Sequence, residues 1–273
     1  MLQFYKILER ITLHQHPLRI ALIRRLLRNF HVLPYSYRAS IDAVVRPQYA
    51  FCIIEAAKMA IDLGLKKISI IEFGVAGGNG LINIEYHVKE IEKEFGIHCE
   101  IYGFDSGVGM PASNDYRDIL YTWGEGFYKM DRDALEQQLI TAKLIIGNIN
   151  DTVISFYKNY SPAPIGCIFF DVDYYSSTIA AFKIFETESK NRLPRIACHF
   201  DDISGTNEFL GELCAIKEFN TAHDTMKIAP YHMLSELRKV TMKWNKEIFY
   251  FHDFKHPHYN TCFRDKYQLP LET

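Results

Sequence analysis

Between residues 67 and 202 the chain alternates short, continuously apolar runs with longer stretches of helical period. Five runs predict strands: KISIIEFG (67–74), CEIYGFD (99–105), KLIIGNI (143–149), IGCIFFDVD (165–173) and RIACHFDD (195–202). The first, fourth and fifth stay apolar up to a polar end, the pattern of strands buried on both faces of a parallel sheet. NGLINIEYHVKEIEKEFG (79–96) places Leu81, Ile84, Val88 and Ile91 on one helical face, and SSTIAAFKIFETES (176–189) follows the fourth strand similarly. RPQYAFCIIEAAKMAIDLG (46–64) predicts a helix ahead of the first strand, with Pro47 near its start and Gly64 as C-cap. Strand and helix in alternation mean a doubly wound α/β sheet. Two later runs, TMKIAPYHM (225–233) and KEIFYFHDF (246–254), are expected to pair as an antiparallel edge.

Residues 1 to about 40 read as an N-terminal helical arm, broken at Pro17, with Ile20, Ile23, Leu26 and Leu27 facing one way and Arg19, Arg24, Arg25 and Arg28 another. The basic face reads as the solvated side of a packing helix, and the arm as the place where a second copy of the chain would dock. No repeat, low-complexity tract or linker divides the rest. The expected organisation is an arm over 1–45 and a single domain over 46–273.

Composition narrows the class. With 31 Lys+Arg against 33 Asp+Glu, the net charge of -2 offers no field that would draw nucleic acid or an anionic membrane. No apolar run approaches the ~20 residues of a membrane span, and the N-terminus lacks the apolar core and cleavage site of a signal peptide. The six cysteines (Cys52, Cys99, Cys167, Cys198, Cys214, Cys262) have neither disulfide nor zinc spacing and read as reduced core residues of a cytoplasmic protein. The 19 Phe and 17 Tyr exceed what a core usually needs and suggest an aromatic-lined pocket.

Three constellations carry chemistry. Glu72 to Gly80 (EFGVAGGNG) joins the first strand to a helix, where glycines let a backbone approach a ligand closely. It lacks the Lys-Ser/Thr of a P-loop and the full dinucleotide fingerprint, so phosphate is not demanded. Glu72 is costly to bury unless its carboxylate accepts hydrogen bonds from backbone or ligand. Asp105 ends the second strand in GFDSGVGMP, where an acid can accept both hydroxyls of a ribose or cap a turn. Asp171 and Asp173 end the fourth strand, and Asp201 and Asp202 the fifth. On neighbouring strands roughly 4.8 Å apart these carboxylates converge, and so many cannot stay ionised without a cation. Oxygen-only ligands favour Mg²⁺. Helix capping accounts for one acid per strand, not for four in two clusters.

EFGVAGGNGL, GFDSGVGMP, FFDVDYYSST and HFDD, in this order and spacing, resemble the class I S-adenosylmethionine-dependent methyltransferases, and more closely the macrocin O-methyltransferase (TylF-like) family. The resemblance spans roughly residues 46 to 210. It implies a Rossmann-like, seven-stranded, mostly parallel sheet of strand order 3-2-1-4-5-7-6, and Mg²⁺-dependent methylation of a sugar hydroxyl on a small molecule. It puts the cofactor on Glu72, Gly74, Ala76, Gly77, Gly78 and Asn79, on Asp105 and Ser106, and on Gly147. By the same carry-over Asp171, Asp201 and Asp202 are metal ligands, and Asp173 is the general base. His199 and Phe200 depart from the aliphatic residues expected before the Asp pair. A vicinal diol on a sugar and on a catechol present the same two oxygens, so a catechol-type methyltransferase is the alternative within this chemistry. A nicotinamide-dependent oxidoreductase and a non-catalytic nucleotide-binding protein are the alternatives outside it.

Two further features are assigned by pattern. His252, His256 and His258 read as a solvated loop rather than a metal cluster. The stretch 116–131, with Tyr116, Tyr121, Trp123, Phe127 and Tyr128 around Gly124 and Gly126, reads either as a substrate-covering lid or as packing on the sheet.

Overall fold

A computed structural model of the chain describes residues 18–29, 33–203, 206–238 and 242–263. Helices α1 (Leu18–Asn29), α2 (Tyr35–Ser40) and α3 (Pro47–Asp62) precede β1 (Lys67–Phe73), α4 (Asn79–Phe95) and β2 (His98–Asp105). Then come α5 (Arg132–Glu136), β3 (Lys143–Ile146), α6 (Ile149–Tyr160), β4 (Ile165–Phe170), α7 (Tyr175–Phe182) and β5 (Arg192–Phe200). The chain closes with α8 (Gly211–Ala222), β6 (Met226–Pro230), α9 (His232–Leu237) and β7 (Ile248–Asp253).

The strands form one sheet in the order β3-β2-β1-β4-β5-β7-β6. The first five are parallel, and β7 runs antiparallel between β5 and β6. This is the order that the resemblance implied. The two late runs do pair, and their pair joins the sheet through β7. Right-handed crossovers put α4 on one face and α6 and α7 on the other; α3 packs on α4 and α8 on α7. Every residue of β4 is buried, as its apolar run requires.

The aromatic excess goes largely into this core. Phe73 lies 4.8 Å from Phe104, Phe170 stacks on Phe200 at 4.6 Å, and Phe185 stacks on Phe251 at 4.0 Å between ring centroids. The helix expected over 176–189 ends at Phe182, where a 3₁₀ turn over Lys183–Phe185 sends Ile184 and Phe185 into the core. Five cysteines are buried, and Cys262 is exposed.

The arm differs from its pattern. Residues 1–17, with the break at Pro17, and the side chains of Arg19, Ile20 and Ile23 lie outside the described residues. In α1, Leu22 and Leu26 face solvent, while Arg24 bonds Asp42 at 3.1 Å and Arg28 the Val44 carbonyl at 3.2 Å. The buried Asp42, which Arg238 also reaches at 2.6 Å, draws Arg24 inward, while Arg25 and Arg28 stay exposed. Tyr35, Ala39 and Val44 belong to the core, so the packed domain starts ahead of residue 46.

Candidate active site

The carboxyl ends of β2, β1 and β4 are laced together. Gly74 N–H donates to the Phe104 carbonyl and Asp171 N–H to the Phe73 carbonyl, both at 2.9 Å. Gly74 has φ +85°, and a Cβ there would lie 1.7 Å from the Asp171 carbonyl oxygen. The glycine is therefore required by the neighbouring strand. Asp105 clips the loop that follows: Oδ2 accepts from Val75 N–H and Ala76 N–H at 2.9 Å each, and Oδ1 from Gly107 N–H at 2.6 Å. Three of the four acceptor positions of its carboxylate are thus taken by backbone, which leaves one.

A cavity of about 880 Å³ opens over these ends. Gly74, Ala76, Gly77, Asn79, Asp105, Ser106 and Gly147 line it on the side of the glycine loop and β2–β3. A Cβ on Gly77 would meet nothing within 4 Å, so its face is open space. Glu72 and Gly78 do not line the cavity. Gly78 (φ +85°) backs onto Leu135, and Glu72 lies under the first turn of α4, where the Tyr49 hydroxyl donates to its Oε1 at 2.9 Å. Burial, and then the nearby Asp171, push the Glu72 carboxyl up to about 8, and its Oε2 has no partner among the described residues.

Asp171 and Asp173, beyond the end of β4, and Asp201 and Asp202, beyond the end of β5, line the same cavity. Oxygens of Asp171, Asp201 and Asp202 lie within 4.8 Å of one another. Asp173 holds a left-handed backbone (φ +56°) and its N–H donates to Asp202 Oδ2 at 3.1 Å. These acids do not cap the next helix. The α7 N-cap, Tyr174, makes no side-chain cap bond, and Ser176 N–H is taken by the buried Asp118 at 2.8 Å. Behind them Glu212, fully buried, accepts from Asp202 N–H at 3.1 Å, and its Oε1 has no partner among the described residues. Burial, then Asp201 and Asp202, raise Asp171 to about 7. Burial also raises Asp202, next to Asp173, and lifts Glu212 well above the usual carboxylate range.

So many raised carboxyls with an orphaned oxygen behind them are a donor set for a hard divalent cation. A second group of possible ligands adjoins it through Asp201: the buried His199, whose Nε2 lies 3.3 Å from Glu247 Oε2. The pair gives His199, one residue before the end of β5 where an aliphatic residue was expected, a carboxylate partner.

Several contributors were not visible in the sequence pattern. Arg46 is the one Lys or Arg lining the cavity among the described residues. Tyr49 stacks on Phe169 at 4.2 Å between centroids and bonds Glu72. Asp118, inside the 116–131 stretch, bonds Ser113 and Ser176 and so ties that stretch to α7. Trp123, Phe127 and Tyr128 line the cavity, whereas Tyr116 and Tyr121 are exposed. His252 bonds Tyr259 at 2.9 Å, and His256 Nδ1 accepts from His258 N–H.

No protein-family model and no curated protein matches the chain. Solved structures do. The calicheamicin methyltransferase CalS11 aligns over 88% of this chain and 94% of its own at 18% identity and a TM-score of 0.52. The O-methyltransferase NovP aligns over 86% and 98% at 12% identity and the same TM-score. Together with the strand order, these likenesses show that the chain has the fold of the class I methyltransferases.

Proposed function

We propose that this protein is an S-adenosylmethionine-dependent, Mg²⁺-dependent O-methyltransferase acting on a hydroxyl of a sugar or sugar-bearing metabolite. One observation carries the reading: a single cavity is lined both by an open glycine loop with Asp105 and Gly147 and by four aspartates, uncommitted to helix capping, that follow β4 and β5. The sugar as acceptor rests on the resemblance of FFDVDYYSST and HFDD to the macrocin O-methyltransferase family.

When bound, the sulfonium cofactor supplies an electrophilic methyl group, and the cation supplies Lewis acidity that lowers the pKa of the acceptor hydroxyl. The chain's own residues do the rest. Gly77, open on its cavity face, with Ala76 and Ser106 would hold the cofactor, and Asp105 has one acceptor position left for a hydroxyl of its ribose. Asp171, Asp201 and Asp202 would hold the cation, Glu212 orienting Asp202 through its N–H. Asp173 is raised by burial, against the hydrogen bond from Asp202, which brings it toward the pH at which a carboxylate serves as general base. Its backbone bond to Asp202 fixes it beside the acids that would hold the cation, where it would take the acceptor's proton. Trp123, Phe127 and Tyr128 add aromatic lining, Phe127 and Tyr128 being half exposed. Methyl transfer needs an in-line approach of acceptor oxygen to methyl carbon, and one cavity lined by both sets of residues would bring the two reactants together.

Among the described residues no helix is long and apolar enough to cross a membrane. A reducing, cytoplasmic setting fits the five buried, unpaired cysteines. The exposed Leu22 and Leu26 make α1 the place where two copies would associate.

The test is calorimetric titration with S-adenosylhomocysteine, NAD and Mg²⁺, followed by methyl transfer to nucleotide sugars, sugar-bearing metabolites and catechols read by mass. Binding of S-adenosylhomocysteine and Mg²⁺ with transfer to a sugar is expected. Transfer to catechols alone moves the acceptor to the phenolic class, and stabilisation by NAD alone refutes the methyltransferase reading.

A further inference from the structure

Arg46 stands out because it is the one cationic side chain lining the cavity among the described residues, and nothing in the reaction outlined above uses it. It immediately precedes Pro47, the first residue of α3, with a left-handed backbone of φ 43° and ψ 64°. Its own Cβ and the following proline both disfavour that conformation, so the fold holds this side chain at the cavity edge against local preference. Of the five N–H donors of its guanidinium, Nη1 donates to the Tyr49 hydroxyl at 3.3 Å, and the group sits 5.3 Å from the centroid of the same ring. Arg46 forms no ion pair among the described residues, although its charge reaches Glu72 and Asp171.

Those two acids fix which end of the cavity Arg46 occupies. They end β1 and β4, whereas Asp105 and Gly147, where the nucleoside end belongs, follow β2 and β3 on the far side of the sheet order. The cofactor of the proposed reaction carries one anionic group, the carboxylate of its methionine moiety. A planar guanidinium with free donors matches a carboxylate in a bidentate manner.

We propose that Arg46 binds the methionine carboxylate of the cofactor and thereby makes the site prefer S-adenosylmethionine and S-adenosylhomocysteine over adenosine thioethers without that charge. The inference rests on the cofactor reading above, and its test separates the two.

The full chain is titrated calorimetrically with S-adenosylhomocysteine and with its carboxamide, which differs only in the carboxylate. A hydrogen-bonded charge pair corresponds to a preference of about tenfold to a hundredfold for the acid. Arg46→Met is expected to abolish that preference by weakening the acid while leaving the amide unchanged, and Arg46→Lys to keep part of it. Equal binding of acid and amide by the wild-type chain overturns the inference with no variant needed, and leaves the cofactor reading standing. So does a preference that survives in Arg46→Met, or an equal fall of both ligands in a folded variant. Binding of neither ligand by the wild type overturns the cofactor reading, and the role of Arg46 with it.

Discussion

Two glycines of one loop separate what the fold needs from what the ligand needs. In Gly74→Ala the new methyl would stand 1.7 Å from the Asp171 carbonyl oxygen and 2.6 Å from its carbon, so the ends of β1 and β4 must part by about 1.3 Å to reach the 3.0 Å that real contacts keep. The left-handed backbone adds ~1–2 kcal/mol for a residue with a Cβ, and overpacking against backbone adds ~1–3 kcal/mol. A loss of ~2–5 kcal/mol in unfolding free energy is expected, with weakened Mg²⁺ binding because Asp171 moves. Gly77→Val behaves in the opposite way. Gly77 has no positive φ and no atom within 4 Å of an added Cβ, so stability should stay within ~0.5 kcal/mol, whereas a side chain projecting into the cavity should cost at least about tenfold in S-adenosylhomocysteine affinity, or ~1.4 kcal/mol. Urea unfolding and calorimetry on both variants check the pair. A Gly77→Val protein as unstable as Gly74→Ala, or one that binds S-adenosylhomocysteine normally, refutes the reasoning.

The other predictions concern the carboxylates and the arm. Asp173→Asn should keep Mg²⁺ and S-adenosylhomocysteine affinity and lose ~10²–10⁴ in single-turnover rate; loss of metal affinity instead would make Asp173 a ligand. Asp171→Ala and Asp202→Ala should weaken Mg²⁺ in calorimetry, with activity partly recovered at high metal. Without metal, stability should fall as pH rises, because a carboxyl raised in the folded state favours folding while protonated and loses that advantage as pH climbs through its folded value. For Asp171 the window runs from its ordinary 3.8 to about 7, on the order of 4 kcal/mol at ~1.4 kcal/mol per pH unit. Urea midpoints at pH 5 and 8, with and without Mg²⁺, test this; a metal-free midpoint that rises with pH contradicts it. Removing residues 1–33 should leave S-adenosylhomocysteine binding intact and change the sedimentation behaviour, and loss of binding in a folded truncation would place the arm over the site.

What the sequence made legible follows from the range of the interactions. Continuous apolar runs mark the parallel strands because both faces of each are buried, and their polar ends mark the edge where a site forms. Helices α6 and α8 escaped detection, since INDTVISFYKNY and GELCAIKEFNTA interleave polar and apolar residues without a clean stripe. The facing of α1 escaped for another reason: the buried Asp42 draws Arg24 inward across the chain, while Leu22 and Leu26 face solvent. Asp118 could not be placed either, because its partner Ser176 lies 58 residues away. Arg46 had a visible cue in its position directly before a helix-starting proline. Pattern alone did not show that it reaches the cavity.

The acid cluster is held by the fold, not by its own interactions. Asp171, Asp173, Asp201, Asp202 and Glu212 meet behind and along one wall, with Arg46 as the one lining cation among the described residues. Left alone, the group must retain protons, and burial drives several members that way. A divalent cation substitutes for those protons, so metal binding should release protons and strengthen as pH rises through about 7. Such a site is stable only because strands β1, β4 and β5 fix the chain ends independently of charge, through Phe73, Phe170 and Phe200 stacked beneath it. The core therefore positions the carboxylates by itself, and the proposed cation would enter a place already shaped for it. Calorimetry of Mg²⁺ binding in two buffers of different ionisation enthalpy reads the released protons directly. A heat independent of the buffer would mean that the acids were already ionised and would remove the argument for a resident cation.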